Sequence, residues 1–256
     1  MGRDAMPEWA WEPDDFAALW FSDANDRIPG LLRFTSRFAY RDEFELHRPA
    51  VRARYGVDEL DQIDLALHTV TTSDMRVEIL GSTTKYKGSK GKPRAYRIIG
   101  ARNLYHATVL YQLTEGQVDG RIRVHSYRPE QLGAGLVAAI PGREPGTAPP
   151  ITVHPNDLRD NHHSATGKTP AERYRRLLSG RVEGNGTAAL LVGPIHANPQ
   201  PAHEVSWCDF TDGRYLRVLG EHITIRPATA KDLSARFNAW FDNAAQRQHE
   251  DEYERW

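Results

Sequence analysis

His154, Asp157, Asp160, His162 and His163 lie close together in one polar stretch. Neutral imidazole and carboxylate are the ligand types of zinc and non-haem iron, so a hydrolytic metal would be held here. The spacing matches no established ligand motif and His-Glu-x-x-His is absent, so the plain expectation is a solvated loop and no metal. Ser82-Thr83-Thr84-Lys85 has the Ser-x-x-Lys form of an acyl-transfer nucleophile but lacks that chemistry's companion motifs, and no Gly-x-Ser-x-Gly elbow occurs. Gly88-Ser89-Lys90-Gly91-Lys92 looks like a phosphate loop. Two residues separate its glycines where four are required, and Pro93 follows the lysine in place of Ser or Thr. Cys208 has no His or Asn placed to activate it and reads as a small packed residue. No catalytic residue and no cofactor is therefore expected.

The remaining chemistry is basic and aromatic. Lys85, Lys87, Lys90, Lys92, Arg94 and Arg97 are interleaved with Tyr86 and Tyr96. Base stacking combined with phosphate contact is how single strands are held, so a nucleic-acid binder is one functional reading. The bland alternative is a solvated hairpin tip whose lysines discourage edge pairing. The net charge of −1 over 256 residues favours the second, because nucleic-acid binders carry a basic excess.

Composition sets the frame: 39% hydrophobic and 26% charged residues suit a globular core. The single cysteine excludes an internal disulfide. No apolar run reaches the ~18 residues of a membrane span. The first residues lack the apolar core of a signal peptide, so a cytoplasmic protein is expected.

The elements that position these residues read as α+β. Helices are expected over Asp14–Asp23, over Arg41–Tyr55 with an interruption near Pro49, over Asp58–Val70 and over Gln131–Ile140. A capping box, Thr169-Pro170-Ala171-Glu172, starts another that ends at Gly180, and Thr229-x-x-Asp232 starts the last. Strands are expected at Leu31–Ala39, Met75–Leu80, Tyr96–Ala101, Tyr105–Leu113, Arg121–Tyr127, Ile151–Val153, Ala188–Ile195, Glu204–Phe210, Tyr215–Leu219 and His222–Ile225. Polar loops are expected from Ser82 to Arg94 and from His154 to Lys168, and a fraying charged tail from Gln246 to Trp256. Asp119-Gly120-Arg121 and Asp212-Gly213-Arg214 each follow a strand pattern, each as a type I′ turn, and each leads to an Arg-Pro pair (Arg128-Pro129, Arg226-Pro227) and a helix. The expectation is a duplicated chain: an N-terminal half over 1–141, a Pro/Gly linker over 142–150 and a C-terminal half over 151–256, forming one compact unit. The two Asp-Gly turns should then superpose. Arg214 lies across its turn from Asp209 and is placed to pair with it.

Several of these motifs together resemble the EspG family, secretion-associated proteins of actinobacterial ESX (type VII) systems. They are the helix with Phe16, Leu19 and Trp20; Pro29-Gly30-Leu31; Trp207-x-Asp209-x-x-Asp212-Gly213-Arg214-Tyr215-Leu216; and Ile223-Thr224-Ile225-Arg226-Pro227. The likeness runs from about Trp11 to Asn243. The lysine-rich 82–94 loop and the His-rich stretch near 162 depart from the family pattern. The resemblance implies two pseudo-repeated halves around a central antiparallel sheet flanked by helical bundles, and no catalysis. It implies a cytosolic chaperone that binds the apolar tip of a PPE protein in its heterodimer with a PE protein, as a monomer or weak homodimer. It also implies where the partner sits: the loop and strand with Ser82, Lys85, Tyr86, Lys87, Lys90, Lys92, Arg94, Tyr96 and Ile98, and the last helix with Phe237, Trp240 and Phe241, although most of the stripe they share with Leu233 is expected to be core.

Overall fold

The computed structural model describes residues 7–86, 88, 91–159 and 169–253. Its frame is a ten-stranded antiparallel sheet built from two meanders. The first comprises β2 (Met75–Thr83), β3 (Arg94–Arg102), β4 (Ala107–Thr114) and β5 (Ile122–Tyr127), with β1 (Glu8–Trp11) added outside β5. The second comprises β7 (Val182–Val192), β8 (His203–Phe210), β9 (Gly213–Val218) and β10 (Ile223–Pro227), with β6 (Ile151–Val153) outside β10. The spatial order is β1-β5-β4-β3-β2-β7-β8-β9-β10-β6. The two halves are thus related by a pseudo-two-fold between β2 and β7.

The axis passes through a pair of glycines. Leu113, Tyr96, Gly81, Gly186, Trp207 and Leu216 stand in one row across six strands. Each large ring lies over the central glycines: a Cβ on Gly81 would overlap the Tyr96 ring, and one on Gly186 would overlap the Trp207 indole. The Tyr96 hydroxyl donates to the Asn185 carbonyl at 2.7 Å. Small residues at the centre let two buried aromatics close the sheet onto itself.

One sheet face is covered by α4 (Leu132–Ala139) and α7 (Ala230–Tyr253), which bury Leu132, Leu136, Leu233 and Phe237 against β2, β3, β7 and β8. On the other face α1 (Pro13–Trp20), α2 (Arg41–Arg52) and α3 (Val57–Thr72) cap the first half, with Phe16, Trp20 and Ile63 buried. There α6 (Pro170–Leu178) caps the second half over Tyr174, Phe210 and Tyr215. Thr169 and Glu172 form the expected reciprocal capping box.

The α+β class holds, and several local expectations are corrected. Asp119-Gly120 is not the hairpin turn: the tight turn lies at Gly116-Gln117, closed by hydrogen bonds between Glu115 and Val118, with Gly116 at φ +59. The other turn is Thr211-Asp212, and Gly213 pairs with Phe210. Neither aspartate takes positive φ. The two motifs are also inequivalent, since one joins the third and fourth strands of its meander and the other the second and third. The Arg-Pro pairs, in contrast, occupy matching places before α4 and α7.

Residues Leu31–Ala39 form no strand. Their backbone is held by side chains instead: Gln112 accepts from Arg33 N at 2.7 Å and donates to its carbonyl at 2.8 Å, Arg97 donates to Leu31 O, and Asp14 accepts from Arg37 N. α2 continues through Pro49 to Arg52. β1 was not anticipated, nor the short helix α5 (Pro155–Arg159) inside the expected 154–168 loop. α7 stays helical to Tyr253 rather than fraying from Gln246.

Candidate functional site

The connection between β2 and β3 leaves one end of the sheet, and its described residues are 84–86, 88 and 91–93. Its base is fixed to the second half, where Thr84 N and Oγ1 both donate to the Glu183 carbonyl, at 2.8 and 2.9 Å. Lys85 Nζ donates to Gly142 O at 3.0 Å and lies 6.0 Å from the centre of the Tyr86 ring. Gly91 turns the chain at φ +68, a left-handed conformation that favours glycine. Arg94 closes the loop on the neighbouring hairpin through Glu115 at 3.2 Å. The loop is thereby anchored at both ends while Tyr86 stays 40% exposed.

Tyr86 forms a ridge between two grooves. One, of about 610 Å³, lies where α4 is too short to cover the outer strands. Tyr111 and Leu113 from β4, Arg123, His125 and Tyr127 from β5, and Arg94 from β3 line it beside Ala138 and Ala139. The Tyr127 ring would overlap any Cβ on Gly135, so that glycine sets the helix-to-strand approach. Burial pushes the Tyr111 phenol up to about 12 and raises Tyr127 as well, so both remain neutral hydrogen-bond donors at physiological pH. The other groove, of about 1050 Å³, lies between the loop, the Pro141–Glu144 segment and Glu183.

The Pro141–Glu144 segment is held by a buried ion pair. Arg214 donates to both Asp209 oxygens, at 2.7 and 2.8 Å, and to Pro141 O at 2.7 Å, with its guanidinium 5.7 Å from the Trp207 ring. The pairing expected for the Trp-x-Asp-x-x-Asp-Gly-Arg motif is therefore present, as a clamp on the segment joining the halves. The Asp212 carboxylate accepts from Thr147 N and Oγ1 and from the Tyr215 hydroxyl.

The expected partner residues divide. Lys85, Tyr86 and Lys92 are exposed, and Arg94 lines the first groove. Ser82 is half-buried and donates to Asn185 Oδ1 at 3.2 Å. Lys87 and Lys90 lie outside the described residues. Tyr96, Ile98, Phe237, Trp240 and Phe241 are core, none more than 6% exposed, because the α7 stripe packs onto the sheet and on α4. They support the surface and do not form it. Tyr111, Arg123, His125 and Tyr127 were missed. Their signal was the polar and aromatic alternation of Arg123-x-His125-x-Tyr127, which marks a strand face without an apolar cover.

The metal reading fares differently. His154 accepts from Asn156 N and packs its ring 5.4 Å from that of His222, while Asp160, His162 and His163 lie outside the described residues. Among the described residues no cluster of three or more metal-ligating side chains occurs. Cys208 is half-buried, and burial raises its thiol pKa despite Arg217 nearby.

The geometry is thus a duplicated antiparallel sheet with a loop anchored at both ends beside an open aromatic groove. The chain belongs to the EspG family, whose model matches residues 12–239. The structure is similar to that of the Mycobacterium tuberculosis type VII secretion system chaperone EspG5, solved in complex with the PE25–PPE41 dimer. The TM-score is 0.53 at 14% identity, covering 90% of this chain and 94% of that one. HtdX of M. tuberculosis also aligns, over 86% of this chain and 98% of that one at 12% identity, with a TM-score of 0.18 that carries no structural weight. No curated protein matches at the sequence level.

Proposed function

We propose that this chain is a non-enzymatic type VII secretion chaperone of the cytoplasm. It binds the apolar tip of a PPE protein within a PE–PPE heterodimer, keeps it soluble and guides it to export. Family membership carries the reading, and the open groove beside the 84–93 loop supports it. Concealing an apolar tip requires a preformed surface of matching shape, and a partner that binds only the folded cargo stabilises it. We place the contact on Lys85, Tyr86, Lys92 and Arg94 with Tyr111, Arg123, His125 and Tyr127. Tyrosine and arginine are favoured anchors because each offers apolar area and a polar tip. The division into halves 1–141 and 151–256 around a 142–150 linker is part of the same proposal, supported by the repeated element order. No helix among the described residues is long and apolar enough to cross a membrane.

The test is co-expression with PE–PPE pairs followed by co-purification. Replacing Tyr86, Lys87, Lys90 and Arg94 with Ser or Ala should abolish capture while the melting temperature stays within a few degrees. Equal capture by variant and parent would move the contact off the loop. Nucleic-acid binding is disfavoured by the ion pairing of the groove's cations: Arg94 with Glu115, Arg121 with Glu12, and Arg123 with Glu8. A single-strand affinity that falls steeply with salt would reverse that judgement.

A further inference from the structure

We propose that the groove beside Tyr86 takes the carbonyl end of a helix, so that cargo enters it with a helix C-terminus facing Tyr86 and Tyr111. The inference rests on the chaperone reading and deepens it, because it names which part of a helical cargo this groove holds.

The polar side chains around the Tyr111 phenol are donors. Tyr111 stands half-buried on β4, opposite Arg123 of β5 in the cross-strand register. Its electrostatic neighbours are Tyr86 from the loop, Arg123 from β5 and Arg94 from β3. Two phenols and two guanidiniums offer O–H and N–H groups, and a guanidinium accepts nothing. Among the described residues neither the Tyr86 nor the Tyr111 hydroxyl has a hydrogen-bond partner. The carboxylate that lines the groove, Glu8, already lies 3.0 Å from His125 Nε2 and 3.8 Å from Arg123.

Charge decides against a fully ionic ligand. Arg94 faces Glu115 at 3.2 Å, Arg121 faces Glu12 at 2.6 Å, and Arg123 shares Glu8 with His125. The groove therefore has spare donors and little spare charge. That combination suits acceptors without a full charge, which in a polypeptide are backbone carbonyls.

Backbone geometry decides which carbonyls. An extended segment shows N–H and C=O groups in turn along each edge, so a wall of donors would leave its N–H groups unmatched. A helix N-terminus presents four free N–H groups and would set donor against donor. Of the regular structures, only a helix C-terminus presents several free carbonyls and no free N–H, with a partial charge of roughly −0.5. Leu113 of β4 and Ala138 and Ala139 of α4 give the groove an apolar floor for the side chains of that last turn.

The readout is the affinity for a PE–PPE pair that co-purifies with the parent, measured by titration calorimetry. Tyr86→Phe and Tyr111→Phe each remove one hydroxyl and keep the ring. Each should weaken binding by about 2- to 10-fold, and the double variant further. A purely apolar contact predicts that the Phe variants bind as well as the parent or better. Tyr86→Glu sets a carboxylate against the arriving helix end, so it should bind more weakly than Tyr86→Phe, whereas a helix N-terminus would bind it more tightly. Tyr105→Phe, in the exposed β3–β4 turn, should bind like the parent. Circular dichroism melts check that all variants fold. Phe variants that match the parent, or a Tyr86→Glu variant that gains affinity, would overturn the helix-end inference and leave the chaperone reading standing. A parent that captures no PE–PPE pair would overturn both.

Discussion

Removing the Asp209 carboxylate should be among the most damaging single changes outside the apolar core. Arg214 is 4% exposed and Asp209 7% at the side chain, so neither is rescued by water. Asp209→Ala leaves the guanidinium with one strong acceptor, Pro141 O, and the Trp207 ring. Breaking a buried pair by deleting one partner costs about 3–5 kcal/mol, because the remaining charge is desolvated without compensation. For a chain of this size a kilocalorie moves the melting midpoint by ~2–4 °C, so the shift should be roughly 6–20 °C. The double variant Asp209→Leu with Arg214→Met removes both charges and keeps the volume, and it should recover most of the loss. Calorimetry of the parent, the single and the double variant at pH 7 gives the comparison. A loss below about 1 kcal/mol for Asp209→Ala, or a double variant no better than the single, would refute the clamp.

Three further outcomes follow from the geometry. Gly81→Ala should cost about 1–3 kcal/mol or prevent folding, since its methyl would overlap the Tyr96 ring and the Asn185 carbonyl; urea titration against Gly30→Ala, where nothing lies within 4 Å, is the control. Phe237→Ala should cost about 3–5 kcal/mol and lower cargo capture only in step with its lost stability, as a core residue would; heat-matched pull-downs would show it. Asp232→Asn should weaken the α7 cap by about 0.5–2 kcal/mol at pH 7. Hydrogen bonds from Thr229 N and Oγ1 hold the Asp232 carboxyl below the usual range. A depressed folded pKa stabilises above the unfolded value near ~4 and is lost as pH falls through the folded one, so parent and variant should converge in guanidinium titrations at acid pH.

What the sequence made legible depended on whether a signal was local. The capping boxes at Thr169 and Thr229 were readable because their hydrogen bonds span three residues. The Arg-Pro pairs marked equivalent ends of the two meanders, since proline stops a strand and starts a helix by its own geometry. The Asp-Gly pairs misled because Asp119 serves a distant partner. It lies 3.2 Å from Arg33 Nε and beside Arg97, while a Cβ at Gly120 would meet the Leu113 carbonyl. Leu31–Ala39 alternates like a strand, yet Gln112, Arg97 and Asp14 take its backbone groups, and no periodicity reveals partners 23 to 79 residues away. In the site, the α7 stripe was readable as apolar and as mostly core; what the periodicity left open was whether Trp240 or Phe241 reaches the surface, and both are buried. The groove became visible only once α4 was seen to stop after eight residues.

The pseudo-two-fold of the backbone is not kept by its side chains. Where the first half sets Tyr111 at its groove, two residues before Leu113, the second half has Arg214 two residues before Leu216, buried against Asp209. Duplication has thus produced a scaffold of even proportions with a single adhesive face. Valency is where this asymmetry matters. A carrier with two equivalent grips would bridge two cargo molecules, and each bridge would be a step toward a network. Under the proposed function, one grip per chain would end each complex at a single cargo, masked without being cross-linked.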